Sequence, residues 1–427
     1  MTTFTTDQDN TINQFVSFML DPDRKVMVIN GRPGCGKTYL IPHLIEKAID
    51  ISKLLGSLLN MNNDLTFQLT ATTNQAAEVL SEKTGRQAIT IHSFLGLRVQ
   101  NDFNTGKTKL SPTNAWQVYS NVILFVDEMS MADTELLNYI DKATVNCKVV
   151  YVLDKNQILP VFESDIPLIK KYPIDSNLTQ IVRQGAGNPI INYAHLLCDA
   201  IENGTAIPQI PASNNIIFLD AQDFKQKIID CYSEPDAEHR FKTLAWTNNK
   251  VLKYNKFIRG LKHTTPLIQV DEYLVSNDTY SLDSTGHNTL LKNQEEIRVM
   301  KASDLIVDPE TNIEYQDITY RRKNGFVYTV KRPLDYENVA QLLKYYGKTK
   351  QFPALFALKN AMLDLRPVHA CTVHKSQGST YESVFIDIDD ICSNNKINEV
   401  KRLILVAITR ASDKVYIRGS IPLKYLP

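Results

Sequence analysis

GRPGCGKT, residues 31–38, lies between the apolar run Val26 to Ile29 and a helix-like stretch, and it fits the spacing G-x-x-x-x-G-K-[ST] of a phosphate-cradling loop. Gly31, Gly34 and Gly36 let the backbone approach phosphate closely with its N–H groups turned inward, and the following helix points its positive end at the same anion. Lys37 is expected to reach the β- and γ-phosphates and the Thr38 hydroxyl to hold magnesium. An ordinary Gly-rich strand-to-helix turn is the bland alternative. The strand before the motif favours triphosphate binding, with Gly34, Cys35, Gly36, Lys37 and Thr38 around the phosphates.

Outward from this loop, the runs KVMVIN, LTFQLTA, NVILFVDE and KVVYVLD, between Lys25 and Leu153, each lead into a polar loop, and the first three then into a helix-like stretch. This rhythm predicts a parallel α/β sheet. It returns at FKTLAWTNN, VHACTVHKSQG, SVFIDID and LILVAITRA, which predict strands of a second sheet of related type. Between them, residues 261–332 read as short β segments, with a type I′ turn expected at Asn324-Gly325. They predict a small barrel inserted in the second sheet domain. Residues 335–364 have helical apolar spacing broken near Pro353, expected as a helical projection. The expected boundaries are 1–185 for the first domain, 186–260 with 365–427 for the second, and 261–364 for the insert.

With 427 residues the chain is long enough for two to four domains, and its 43% hydrophobic and 22% charged residues are those of a folded protein rather than a disordered one. The 47 basic and 47 acidic residues cancel, so contact with nucleic acid would have to come from local patches. Six scattered cysteines show no zinc spacing, and they are expected as reduced thiols of a cytoplasmic protein. No apolar run approaches the roughly 18 residues of a membrane span, and no leader is expected.

A bound triphosphate calls for a carboxylate at the end of a neighbouring strand. Asp127 and Glu128 close the apolar run VILFV, one suited to magnesium and the other to orienting and deprotonating water. Alone, such a pair would more simply cap the helix expected from Ala132. Arg183 in LTQIVRQ and Arg410 in LILVAITRA are candidate γ-phosphate readers, with surface ion pairs as the alternative.

The series GRPGCGKT, TATTNQAAEVL, TIHSFLG, VDEMSM, LDKNQILPV, LTQIVRQ, LAWTNNKVLKYN, TVHKSQGST and LILVAITRA resembles, in order and spacing, the motifs of superfamily 1B helicases, the RecD/Dda-like 5′-to-3′ branch. The resemblance runs from about Phe4 to the C-terminus and is weakest over 190–240 and 261–364. It implies two RecA-like domains with an inserted SH3-like barrel, and an ATP-dependent DNA helicase using ATP and Mg2+. It further implies that Gln8 reads the adenine edge, that Gln157 senses the γ-phosphate, and that Arg183 and Arg410 are arginine fingers, with Gln377 and Gly378 near the nucleotide. Single-stranded DNA and a duplex fork would be its partners, with replication or recombination proteins beside them. The chain would act as a monomer in the cytoplasm, a host's if phage-encoded. Three positions depart from the pattern: Leu153 stands where a glycine is usual, Thr72 where a proline is, and Leu405 where a tyrosine is common. Leu153 bears on the relay from nucleotide to strand.

Single strands are gripped by polar and basic groups directed at the backbone, together with π faces for the bases. Thr73, Asn74, His92, Ser93, Thr247, Asn248, Thr372, His374 and Lys375 supply the first kind. Phe94 and Trp246 are candidate faces, core packing being equally expected, and the two histidines have a satisfied buried imidazole as their alternative. Between TIHSFLG and VILFVDE, two β segments, Leu97 to Asn101 and Lys107 to Leu110, flank the turn Phe103 to Gly106. This hairpin, about residues 97–112, would be the fork-splitting pin that the resemblance implies, or else a surface loop. Two other functions fit a phosphate loop: a nucleotide-switched binding protein and a P-loop phosphotransferase. Glu128 beside Asp127 argues against the phosphotransferase, and DNA stimulation of hydrolysis separates the motor from the switch.

Overall fold

The computed structural model describes residues 4–59, 66–102, 107–160, 163, 165–182, 187–281, 289–322 and 325–426. The chain forms two compact units. One comprises Met1–Leu97, Asn114–Phe224 and Ser376–Pro427, the other Arg98–Thr113 and Lys225–Lys375.

In the first unit six strands run parallel in the order Ala88–Thr90, Thr66–Ala71, Val122–Asp127, Lys148–Leu153, Val26–Gly31 and Ser176–Leu178. Val122–Asp127 is buried along its whole length, as expected of a strand covered on both faces. Helices Thr6–Leu20 and Lys37–Leu59 place Phe15, Phe18, Leu40 and Leu44 against Met27, Ile29 and Phe125 in one core. The register sets Ala71 beside Asp127 and Asn30 beside Leu153. The carboxyl ends of four strands therefore line one edge, where open α/β sheets receive ligands. The unit also holds a parallel set in which Ala411–Arg418 pairs with both Tyr381–Asp387 and Ile216–Leu219.

LILVAITRA departs from expectation. It belongs to the helix Ile397–Ile408, and the strand follows at Ala411–Arg418. Leu403 to Ile408 are fully buried. A short apolar run enclosed on all sides has no polar face to reveal a helical period, so it reads like a buried strand.

In the second unit Phe241–Ala245 pairs parallel with Ala370–Thr372. The inserted segment is an antiparallel sheet in the order Ile306–Val307, Glu314–Arg321, Glu296–Ala302, Tyr273–Ser276 and Leu365–Pro367, with Val327–Pro333 joined to Glu314–Arg321. Leu274, Val299, Ile318 and Tyr320 form its core. Asn324 lies outside the described residues. Gly325, at φ 87°, donates its N–H to the Arg322 carbonyl at 2.9 Å, so the connection is longer than the two-residue turn expected. Helices Tyr336–Lys348 and Phe352–Ala361 follow, with Pro353 in the first turn of the second. That position tolerates proline because its missing N–H would have had no partner within the helix. The strands Leu97–Asp102 and Lys107–Pro112 pair as a separate two-stranded sheet; the turn expected at Phe103 to Gly106 lies outside the described residues.

Candidate functional site

The phosphate loop joins the strand Val26–Gly31 to the helix Lys37–Leu59. Gly34 and Gly36 take φ of 75° and 76°, and a Cβ on Gly36 would lie 2.6 Å from Gln8 Nε2. A Cβ on Gly31 would meet Lys37 Cγ at the same 2.6 Å. Glycine is thus required here by backbone conformation and by space. Lys37 Nζ donates to the carbonyls of Gly31 at 2.6 Å and Arg32 at 3.4 Å, and lies 3.9 Å from Asp154 Oδ2. Thr38 follows in the helix's first turn. Burial pushes the Cys35 thiol up to about 11, so Cys35 serves the loop through its backbone. Gln8 is buried and closes a capping box with Thr5 at the start of the helix Thr6–Leu20. Its Oε1 accepts the Thr5 N–H, and its Nε2 donates to the Cys35 carbonyl at 3.2 Å. The carboxamide expected to read adenine is tied here to the phosphate loop.

Asp127 ends its strand and Glu128 follows at φ 57°, ψ 36°. Glu128 precedes the 3-10 turn Met129–Met131 without a side-chain cap bond, and the helix Thr134–Ala143 is capped by Asp133, which accepts the Leu136 N–H at 2.8 Å. Asp127 Oδ1 accepts the Glu128 N–H at 2.8 Å. Burial raises both carboxyls above the usual range. For Glu128 the neighbouring Asp127 charge adds to burial, against the pull of Lys37 and Arg410, and brings it to about 7. Glu128 Oε2 is buried without a hydrogen-bond partner among the described residues. An ionisable group poised near neutrality with an idle oxygen suits a general base.

Asp154 ends the strand Lys148–Leu153 as Asp127 ends its own, and it is fully buried. Gln157 Nε2 donates to Asp154 Oδ2 at 3.4 Å, and Gln377 Nε2 donates to Gln157 Oε1 at 2.8 Å. Lys37, Asp154, Gln157 and Gln377 are therefore one polar chain. Gly378, next along, sits at φ 86° with its Cβ position 3.4 Å from Thr73 Oγ1, and Ser379 Oγ donates to Gln75 Oε1 at 2.6 Å. Arg410 is buried, its guanidinium donating to the carbonyls of Val406 at 3.1 Å and Ser379 at 3.0 Å and to Thr409 Oγ1 at 3.2 Å. Burial lowers its pKa, and the Glu128 charge opposes that shift. Arg183, the other candidate finger, lies outside the described residues.

Four participants escaped the sequence reading. Arg402 donates to the carbonyls of Lys155 and Gln157, both at 2.6 Å, fixing the turn that carries Gln157. From the helix Pro189–Glu202, Glu202 meets Arg32 at 3.1 Å, Lys155 at 3.3 Å and Asn156 Nδ2 at 2.8 Å. Those three partners lower its pKa against the opposing effect of burial. Arg32 also pairs with Asp199 at 2.8 Å. Asp154 carried a usable signal, an acid closing an apolar strand; Arg402 and Glu202 carried none, because their partners are distant in sequence.

The expected strand-binding residues fall in both units. In the first, Thr73 caps the helix Asn74–Thr84, accepting the Ala76 N–H at 3.2 Å. Ser93 is exposed, and burial lowers the His92 pKa. Phe94 stacks on Tyr119 with centroids 4.1 Å apart, and its carbonyl accepts the Tyr119 hydroxyl. In the second, Trp246 is half-buried and Thr247 caps the helix Asn248–Arg259. Asn248, Thr372 and Lys375 line one depression with Arg366, Asn277 and Gln294. His374, half-buried, lies in the short helical turn Val373–Ser376. Lys375 donates to the Asn277 carbonyl at 2.9 Å, and burial with the nearby Arg366 charge brings its pKa down to about 8.

Residues 18–163 match the AAA domain family and residues 367–417 the UvrD-like helicase C-terminal domain. The chain is 24% identical to the ATP-dependent DNA helicase dda of Enterobacteria phage T4 over 434 residues, covering 91% of this chain and 93% of that protein. It is 33% identical over 175 residues to the ATP-dependent RecD2 DNA helicase of Deinococcus radiodurans, covering 40% of this chain and 21% of that protein. In fold it resembles the Pif1 helicase from Bacteroides in complex with ADP-AlF3 and ssDNA, with a TM-score of 0.51 at 15% identity over 100% of this chain and 94% of that one. Together with the motifs in order and the strand-end acids beside the phosphate loop, these matches support an ATP-dependent DNA helicase of superfamily 1B.

Proposed function

We propose that the chain is an ATP-driven motor that moves 5′ to 3′ along single-stranded DNA and separates duplex ahead of it. The observation that carries this proposal is the Glu128 side chain, whose Oε2 is buried without a hydrogen-bond partner among the described residues and whose carboxyl, poised near neutrality, lies in the electrostatic field of both Lys37 and Arg410. Lys37 binds the β- and γ-phosphates, exchanging the carbonyls of Gly31 and Arg32 for phosphate oxygens. Glu128 takes a proton from the attacking water, and Arg410 with Arg183 steadies the charge that gathers on the transferring phosphoryl group. Gln157 senses the γ-phosphate, and Gln8 holds the loop on the adenine side. Thr38 and Asp127 would hold Mg2+, whose charge would offset that of the phosphates. The two raised carboxyls fit a cation there, since a positive neighbour relieves the burial of both.

Residues 1–185 would act as one motor domain, residues 186–260 with 365–427 as the second, and 261–364 as its insert. Thr73, Asn74, His92, Ser93 and Phe94 grip the strand from one domain, and Trp246, Thr247, Asn248, Thr372, His374 and Lys375 from the other. ATP draws the two domains together and its hydrolysis lets them part; a strand held with alternating affinity is moved in one direction. The test pairs ATPase measured with and without single-stranded DNA with unwinding of duplexes bearing a 5′ or a 3′ overhang. Stimulation by DNA and unwinding only from the 5′ overhang are expected. ATPase indifferent to DNA refutes the motor, and stimulated ATPase without unwinding leaves a nucleotide-switched binding protein.

A further inference from the structure

Thr72 stands between the strand Thr66–Ala71 and Thr73, the residue that caps the helix Asn74–Thr84. Its hydroxyl donates to the Glu128 carbonyl at 3.1 Å and its N–H to the Asp127 carbonyl at 3.3 Å. The pairing of Ala71 with Asp127 brings these groups together. Glu128 sits in the left-handed region, which a side chain bearing Cβ occupies only when its surroundings hold it there. Its backbone is held by the Asp127 carboxylate on its N–H, by Thr72 on its carbonyl, and by the Met131 N–H, 3.3 Å from the same carbonyl. The Thr72 contact is the one made from another strand. On the opposite side, the following residues Thr73 and Gln75 meet Gly378 and Ser379.

We infer that Thr72 is a positioning residue: its hydroxyl fixes the peptide that aims the Glu128 carboxylate, and it makes hydrolysis depend on where the loop Thr73 to Gln75 sits. Rotation of the Glu128 peptide would swing the carboxylate away from the attacking water, and small misplacements of a reacting group slow a reaction strongly. Any ligand that moves Thr73 or Asn74 displaces Thr72 with them, so a strand bound at this loop acts on the base through the Thr72 hydroxyl and N–H. The inference rests on Glu128 being the catalytic base.

The test compares Thr72→Val, which keeps the shape and loses the hydroxyl, with Thr72→Ser, which keeps the hydroxyl. ATPase is measured with and without saturating oligo-dT, alongside the affinity for a fluorescent ATP analogue. Thr72→Val should lower kcat with oligo-dT about tenfold, leaving KM and analogue affinity within about twofold, and Thr72→Ser should stay within about twofold of the parent. Parent-like turnover in Thr72→Val, an equal loss in Thr72→Ser, or a loss of analogue binding would overturn the assignment. Glu128→Gln measured in parallel separates two failures. If it hydrolyses ATP, the base is wrongly assigned; if it is silent while Thr72→Val is normal, only the role of Thr72 falls.

Discussion

Glu128→Gln should abolish hydrolysis and, without nucleotide, make the protein more stable in alkaline solution. Burial and the Asp127 charge raise the Glu128 carboxyl from 4.5 to about 7. Between those values the folded chain keeps a proton that the unfolded chain has released, so stability falls as pH rises through the window and stays reduced above it. A displacement of about 2.5 pH units, at about 1.36 kcal/mol each, amounts to about 3 kcal/mol. Glutamine carries no charge to bury, but its amide places an N–H where Glu128 Oε2 has no partner among the described residues, costing about 1 kcal/mol. The net gain is about 2 kcal/mol at pH 8.5, or roughly 2 °C in melting temperature for a chain of 427 residues. At pH 5 the Glu128 carboxyl is close to neutral in the folded chain, and the two proteins should melt within about 0.5 °C of each other. Thermal melts of both proteins at the two pH values, with steady-state ATPase on the same preparations, provide the check. A gap of equal size at both pH values, or a variant less stable than the parent at pH 8.5, would refute the account of a buried charge held against its solvation.

Arg410→Ala should lower kcat for ATP by about 1,000-fold with nucleotide affinity nearly unchanged, because an arginine finger acts in the transition state; single-turnover hydrolysis and analogue titration separate this from a raised KM, the mark of a plain structural arginine. Glu202→Gln removes the ion pairs to Arg32 and Lys155 while leaving an acceptor for Asn156. It should raise KM for ATP a few-fold and cost about 1 kcal/mol of stability, read from steady-state kinetics and denaturant titration. Replacing Asn101 to Lys107 by a short Gly-containing turn should leave DNA-stimulated ATPase within about twofold while unwinding falls more than about tenfold, since translocation needs the gripping domains and strand separation needs an obstacle at the fork; unwinding that survives in proportion to ATPase would mark the hairpin as a surface loop.

The parts of the site that were legible in the sequence are those whose chemistry is local. A phosphate loop needs its glycines, lysine and threonine within eight positions, and an acid that ends a buried strand marks the edge of a parallel sheet, so Lys37, Thr38, Asp127 and Glu128 could be placed at one sheet edge from the sequence. The end of the helix Ile397–Ile408 was hidden because the run Leu403–Ile408, enclosed on all sides, shows no polar face within itself. Phe94 shows another limit: whether an aromatic in a polar loop packs or offers a face to bases is open in the sequence, and the Tyr119 ring stacked on it comes into view only in the fold. Glu202 and Arg402 were illegible for a topological reason. Each holds the turn carrying Gln157 from a helix far along the chain, and only the fold pairs them.

The two ends of the proposed chemistry differ in how the protein prepares them. The Lys37 ammonium is provided for: it donates to two carbonyls of its own loop and lies 3.9 Å from Asp154. Phosphate therefore has to compete for it, and what Lys37 contributes is the difference between phosphate oxygens and the contacts it leaves. The loop's inward N–H groups and the start of the helix Lys37–Leu59 must supply much of the affinity. Glu128 is the opposite case. Its backbone is held at both its N–H and its carbonyl, while a side-chain oxygen is left buried with no partner among the described residues. A protein that needed this acid only for stability would have paired it, because an unmatched buried carboxylate is among the costlier groups to keep. The strained, firmly held backbone and the idle oxygen make sense together if that oxygen is kept for a water molecule that arrives with the nucleotide. The reserve is protected from the rest of the protein because the nearby cations, Lys37 and Arg410, are each tied to carbonyl groups of their own surroundings.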